Sequence, residues 1–217
     1  VLANISLQGI NSIFCLGDMV GKGPDSDKVV DICQEKCKKI ILGNWDDLML
    51  SKDIFRAAVW HQEKLGKRRL EFIKSLPNCI EFVMSGKNIR LFHASQIGVH
   101  HRVRMTDDAE KLLKMFDNTE FTGNKMNPDI VGYGDIHAPF KLNFQNKSLF
   151  NVGSVGNPLG FTDASYCILE GEMDGDKSDI FGINFIRVPY DIELTIKIAT
   201  EQNMPDLDLF ARELRTG

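Results

Sequence analysis

The amino-acid sequence predicts an α/β domain built as a layered sandwich, on three observations. Short apolar runs of strand length end in glycine followed by a polar residue, as in Ile13-Phe14-Cys15-Leu16-Gly17-Asp18 and Ile40-Ile41-Leu42-Gly43-Asn44. The stretch between these early runs has apolar residues at helical spacing. The later runs are separated by short polar turns, the mark of antiparallel hairpins. Alternating βα units followed by hairpins imply a two-layered or sandwiched sheet structure and not a purely parallel one.

The elements follow in order. Ile13 to Leu16 is a strand and Ile40 to Leu42 another; between them Asp27 to Cys37 carries Val29, Val30, Ile32 and Cys33 at helical spacing. A longer helix is expected from about Ala57 to Leu76, with Trp60, Leu65, Leu70, Phe72 and Ile73 as its apolar positions and Pro77 just past its end. Ile80 to Met84 and Ile89 to Phe92 read as a hairpin around Ser85-Gly86-Lys87-Asn88, and its second strand runs into His93. Asp107 to Phe116 is a short amphipathic helix. Asp129 to Tyr133 is a buried strand that ends at Gly134-Asp135-Ile136-His137. Two further hairpins span Lys141 to Asn151 and Tyr166 to Val188, and a terminal helix begins near Asp191.

With 217 residues, 43% hydrophobic and 26% charged, the chain can bury a substantial core as one domain over 1–217, and no Gly/Ser/Pro-rich linker or internal repeat divides it. The net charge of −4 argues against a nucleic-acid duplex or an anionic membrane as partner. A phosphate-bearing substrate then requires metal ions or a local basic patch. No apolar run has bilayer length and Val1 to Ile5 lack signal-peptide character, so a cytoplasmic protein is expected. Five scattered cysteines suggest neither a disulfide framework nor a zinc knuckle; Cys33 and Cys37 share a helix face and read as packing residues.

The chemistry lies at the strand ends. Asp18, Asn44, His93 and the pair Asp135 and His137 all fall at or just beyond the carboxyl end of an apolar strand, where open α/β sheets place their ligands. Taken singly, Asp18 and Asn44 beside glycine are ordinary turn residues, and a lone His93 after a strand is an ordinary hydrogen-bonded histidine. Four strand ends bearing carboxylate, amide oxygen and imidazole together point to a divalent ion such as Mn, Fe, Zn or Ni, with a coordination position left open for water or substrate. Around this set, His61 between Trp60 and Gln62 reads as a packing or surface residue, and His100, His101, Arg102 and Arg104 form a basic cluster able to reach the cleft mouth and hold phosphate.

Five motifs in order carry a family resemblance: Gly17-Asp18-Met19-Val20-Gly21-Lys22-Gly23-Pro24, Gly43-Asn44-Trp45-Asp46, His93-Ala94-Ser95, Gly134-Asp135-Ile136-His137 and Asn151-Val152-Gly153-Ser154-Val155-Gly156-Asn157-Pro158. The series resembles the calcineurin-like metallophosphoesterases, in particular their small bacterial phosphodiesterase branch, as far as about Glu170. The resemblance implies a four-layer αββα sandwich, two divalent metal ions and a metal-bound hydroxide that attacks phosphorus. It implies Asp18 as the carboxylate bridging both ions, Asn44 and His93 as ligands of the second, His137 as a ligand of the first, and Asp135 as a further ligand of the second where the family usually has histidine. The substrate implied is a small phosphodiester, an activated phosphomonoester or a nucleotide anhydride, with Trp45 and Arg102 placed to meet it.

Two departures from the family pattern set further expectations. The Asp-X-His motif that opens the family on its first strand is not in this sequence, and Val1 to Ile5 resemble the end of the helix that follows it, so the chain as given is expected to begin after that strand. Trp45 stands where many relatives carry a histidine. An indole donates a hydrogen bond but is no general acid, so catalysis rests on Lewis acidity and on a good leaving group. The alternative these departures open is a catalytically silent scaffold or regulatory protein of the same fold.

Overall fold

The computed structural model describes residues 1–217. Helix α1 (Leu2–Leu7) leads into β1 (Phe14–Cys15), which pairs in parallel with β2 (Lys39–Ile40) after the crossover helix α2 (Ser26–Lys36). A short helix α3 (Asn44–Leu48) and the long α4 (Arg56–Lys74) follow. The expected long helix is therefore present, but it is broken at Gly66, whose φ of 65° and ψ of 169° leave the helical region. The five-residue α3 starts directly at the Gly43-Asn44 strand end and has too few turns to carry a periodic signal.

The second sheet has five strands: β3 (Cys79–Met84), β4 (Lys87–Phe92), β5 (Ile130–Tyr133), β6 (Phe140–Phe144) and β7 (Lys147–Asn151), in the order β3-β4-β5-β7-β6. Its three central strands are parallel and its two edges are hairpins. The β3–β4 turn is the dipeptide Ser85-Gly86, both at positive φ, the conformation a tight hairpin turn demands. Helix α5 (Ala109–Lys114) lies between β4 and β5, and a third, antiparallel pair is formed by β8 (Ala164–Glu170) and β9 (Gly182–Val188). The expected terminal helix is two helices, α6 (Ile192–Glu201) and α7 (Leu207–Thr216), separated by a turn in which Asn203 and Asp206 both take positive φ.

Alternation along the strands sorts the core into layers. Ile80, Ile89, Leu91, Ile130 and Phe150 point to one face of the five-stranded sheet and pack with Ile41, Phe14 and Leu16 from the β1–β2 side and Cys167, Leu169 and Phe185 from β8–β9. Phe92, Val131, Tyr133 and Leu149 point to the other face and pack with Leu112, Met115 and Phe116 of the α5 segment. On the far side of β1–β2, Val30 of α2 and Ala58, Leu65 and Ile73 of α4 close another cluster with Ile40. Helices, sheet, sheet and helix thus stack as the αββα sandwich. Arg90 of β4 is fully buried on the α5 face, but Glu81 and the acceptors Asp117 O, Asn118 Oδ1 and Met126 O satisfy it, so its role is structural.

Candidate metal centre

The parallel pairing of β1 with β2, and of β4, β5 and β7, brings their carboxyl ends to one rim. Each delivers a polar residue within a few positions of its last hydrogen bond. The β1 and β2 loops then touch backbone to backbone. A Cβ on Gly17 would come 2.5 Å from Gly43 N, and one on Gly43 would come 2.2 Å from Asp18 N, so side chains at these two positions would force the loops apart. Gly17 has a φ of 89° and Asp18 a φ of 54°, a left-handed pair that turns the Asp18 carboxylate back over β2.

Asp46 fixes this crossing. Its buried carboxylate accepts hydrogen bonds from the backbone N–H of Asp18 at 2.8 Å, Met19 at 3.1 Å and Gly43 at 3.0 Å. Burial, with repulsion from Asp18, pushes its carboxyl up to about 7, while those amide bonds pull the other way. Asp46 lies within the second motif, Gly43-Asn44-Trp45-Asp46, but no role for it follows from the motif alone. The available signal was its position three residues after Gly43 at the start of a helix, where a carboxylate reaches back to free N–H groups.

Asp18, Asn44 and His93 converge. His93 Nδ1 donates to the Leu16 carbonyl at 2.7 Å, which turns Nε2 to Asn44 Oδ1 at 2.9 Å and Asp18 Oδ2 at 3.4 Å. The other Asp18 oxygen accepts from the Trp45 backbone N–H at 2.8 Å. With Nδ1 committed as a donor and Asn44 turning its oxygen inward, Nε2 and two oxygens face one another, an arrangement that a cation or an imidazolium proton completes. Burial opposes charge on His93, but Asp18 and the Leu16 carbonyl outweigh it and raise the imidazole to about 9. Carboxylate, amide oxygen and imidazole from three strand ends fit a divalent cation.

The other half of the rim is arranged differently. Asp135 is buried, but both its oxygens are taken by Arg102, Nε at 2.8 Å and Nη2 at 2.9 Å. The residue expected to face a metal and the residue expected to face substrate thus face each other. His137, at a left-handed φ of 61°, directs Nδ1 to Asn157 Oδ1 at 3.1 Å, and burial pushes its imidazole down despite the nearby Asp18 charge. Of the basic cluster, His100 pairs with Asp47 on the surface and His101 with Ser95, so Arg102 is the member that reaches the rim residues.

Trp45 is half-buried. Its ring lies on Gly21, where a Cβ would come within 2.1 Å of the indole, and meets Phe55 and His61 edge-on with Lys22 Nζ 5.8 Å from the ring centroid. The wall behind it contains His61, buried and hydrogen-bonded to Ser26 Oγ at 2.9 Å, its imidazole pushed down to about 4 by burial and by Lys64. That is the packing role expected of it, inside the protein and not on its surface.

Residues 1–174 match the calcineurin-like phosphoesterase superfamily domain. The chain belongs to that superfamily. It is 30% identical over 230 aligned residues to the uncharacterized protein MJ0912 of Methanocaldococcus jannaschii, an alignment covering 95% of this chain and 87% of the relative. The same fold occurs in a metallophosphoesterase from Sphaerobacter thermophilus, at a TM-score of 0.76 and 21% identity over 99% of this chain and 92% of that one. It occurs also in the hypothetical protein PH1004 of Pyrococcus horikoshii OT3, at 0.73 and 16% identity over 98% and 88% of the respective chains. The αββα sandwich of this superfamily is the fold of this member. No helix is long and apolar enough to cross a membrane.

Proposed function

We propose that this protein is a metal-dependent phosphoesterase acting on phosphodiesters, activated phosphomonoesters or nucleotide anhydrides. The observation that carries the reading is the meeting of Asp18 Oδ2, Asn44 Oδ1 and His93 Nε2 around one point, three atoms that can all face a cation. Divalent ions held there supply a Lewis acid for phosphoryl oxygens and a water of lowered pKa. Asp18 offers Oδ2 while the Trp45 amide holds Oδ1, and the Leu16 carbonyl keeps the proton of His93 on Nδ1 so that Nε2 stays a ligand. Arg102 spends Nε and Nη2 on Asp135, leaving Nη1 as a donor for a phosphate oxygen. The Trp45 indole cannot protonate a leaving oxygen, so good leaving groups are favoured.

A second reading, the catalytically silent scaffold, draws on the Asp135–Arg102 pair, which commits a rim carboxylate to an internal partner. One experiment separates the two. Metal content of the protein is measured after dialysis, then aryl diesters, aryl monoesters and nucleotide anhydrides are assayed with added Mn, Ni or Mg. Bound metal with single-turnover rates that fall steeply as leaving-group pKa rises is the expected result. Bound metal without hydrolysis of any substrate class would establish the scaffold.

A further inference from the structure

The region beyond the family match, after residue 174, ends in α7, and one residue of that helix reaches the metal rim through two loops. Glu213 Oε2 accepts a hydrogen bond from Asn157 Nδ2 at 3.0 Å, and the Oδ1 of the same Asn157 lies 3.1 Å from His137 Nδ1. Lys22 Nζ, from the loop that carries Asp18, stands 3.6 Å from the same Glu213 oxygen. Asn157 is 3% exposed and its backbone N–H is held by Ser154 Oγ at 3.0 Å, so its amide has few orientations open to it.

The order of donors and acceptors along this chain has one solution. A carboxylate only accepts, so Asn157 must turn its NH2 to Glu213 and its oxygen to His137. An oxygen facing Nδ1 requires the proton there, and the lone pair is then left on Nε2. The charge on α7 thereby sets which end of the Asn157 amide meets a rim histidine. We propose that Glu213 is a positioning residue that fixes His137 in the Nδ1–H tautomer through Asn157 and, with Lys22, ties the His137 and Asp18 loops to one helix. The relay stands on the hydrogen bonds; its benefit to metal binding rests on the phosphoesterase reading above.

The test uses the full chain labelled with 15N, whose five histidines give a resolvable imidazole spectrum, and Zn2+ as a diamagnetic probe. Wild type is expected to show His137 as the Nδ1–H tautomer. Glu213→Lys reverses the relay: an ammonium only donates, the Asn157 amide turns over, and the proton moves to Nε2. A lysine in the last turn of a helix agrees with the helix dipole but meets Lys22 where Glu213 stood, so Glu213→Ala is made alongside it. Zn2+ affinity should fall by about 10- to 100-fold with the tautomer change. Glu213→Gln, which keeps an acceptor oxygen, should retain the wild-type tautomer and affinity. Should Glu213→Lys fail to fold, Glu213→Ala should populate both tautomers. Arg215→Ala breaks only the Arg215–Glu193 pair between α7 and α6 and should change neither readout. An unchanged His137 tautomer in both Glu213→Lys and Glu213→Ala, or the same tautomer change in Arg215→Ala, overturns the relay. A wild type that shows the expected tautomers but binds no Zn2+ overturns the phosphoesterase reading and leaves the relay standing.

Discussion

The two halves of the rim solve one electrostatic problem in opposite ways. On the Asp18 side, a carboxylate, an amide oxygen and an imidazole nitrogen face each other with no protein cation among them except a proton on His93. On the Asp135 side, the carboxylate is already neutralised by the two-pronged grip of Arg102, whose side chain is half-exposed while that of Asp135 is almost fully buried. Buried negative charge needs a partner in either place. Where the partner is a proton, a metal ion can exchange for it; where it is a guanidinium, an ion must first displace a tethered side chain. On this contrast Asp18, Asn44 and His93 are the ligands an ion would meet first, and Asp135 a carboxylate it would gain only by displacing Arg102.

The strongest test of that difference is a pair of substitutions. Asp18→Ala should abolish hydrolysis and remove most bound metal, a loss beyond the about 10- to 100-fold typical of residues that only support a ligand. Asp135→Ala should leave most of the bound metal in place, because its carboxylate is already committed to Arg102. Equal metal content in dialysed wild type and Asp18→Ala would break the comparison outright.

Asp46→Ala acts on the frame and not on the ligands. It leaves the N–H groups of Asp18, Met19 and Gly43 without their acceptor, and denaturant unfolding should record a loss of about 3 kcal/mol. A loss no larger than that of an ordinary surface substitution would mean that the loop crossing holds without it.

Arg102→Ala sharpens the Asp135 half. Without metal it strands the Asp135 carboxylate and should cost about 2 kcal/mol. Saturating Mn should recover much of this, because a cation takes the place of the guanidinium; thermal unfolding with and without Mn reads both terms. Destabilisation that Mn does not relieve would place Asp135 outside the metal position.

The smallest effect concerns the wall behind the Asp18 side. His61 has its folded pKa depressed to about 4, so between about 6.5 and 4 the unfolded chain binds a proton that the folded one refuses. Stability is intact above pH 6.5 and falls as the pH drops through this window, by about 1–2 kcal/mol at pH 5. His61→Gln should remove this part of the pH dependence while leaving metal content unchanged; a persistent slope would assign it to other groups.

The sequence by itself determined whatever is written in neighbouring residues. Strand and helix order followed from apolar periodicity, and the β3–β4 hairpin from the polar turn at Ser85-Gly86-Lys87-Asn88 and the β6–β7 hairpin from the short polar break within Lys141 to Asn151, because periodicity and turn geometry act over a few positions. It also delivered Asp18, Asn44, His93, Asp135 and His137 to one rim, since a residue at the end of a parallel strand has only one end of the sheet to occupy. It missed α3 and the split of the last helix, each too short or too locally strained for a periodic pattern. Only the tertiary structure decided what each rim residue faces. Asp135 meets Arg102 across 33 positions, Asp18 N meets the Asp46 carboxylate across 28, and Asn157 meets Glu213 across 56. Such pairings depend on how loops cross and helices dock. A carboxylate's chemistry is set by the groups within hydrogen-bond reach of it, and the order of residues along the chain does not encode that distance.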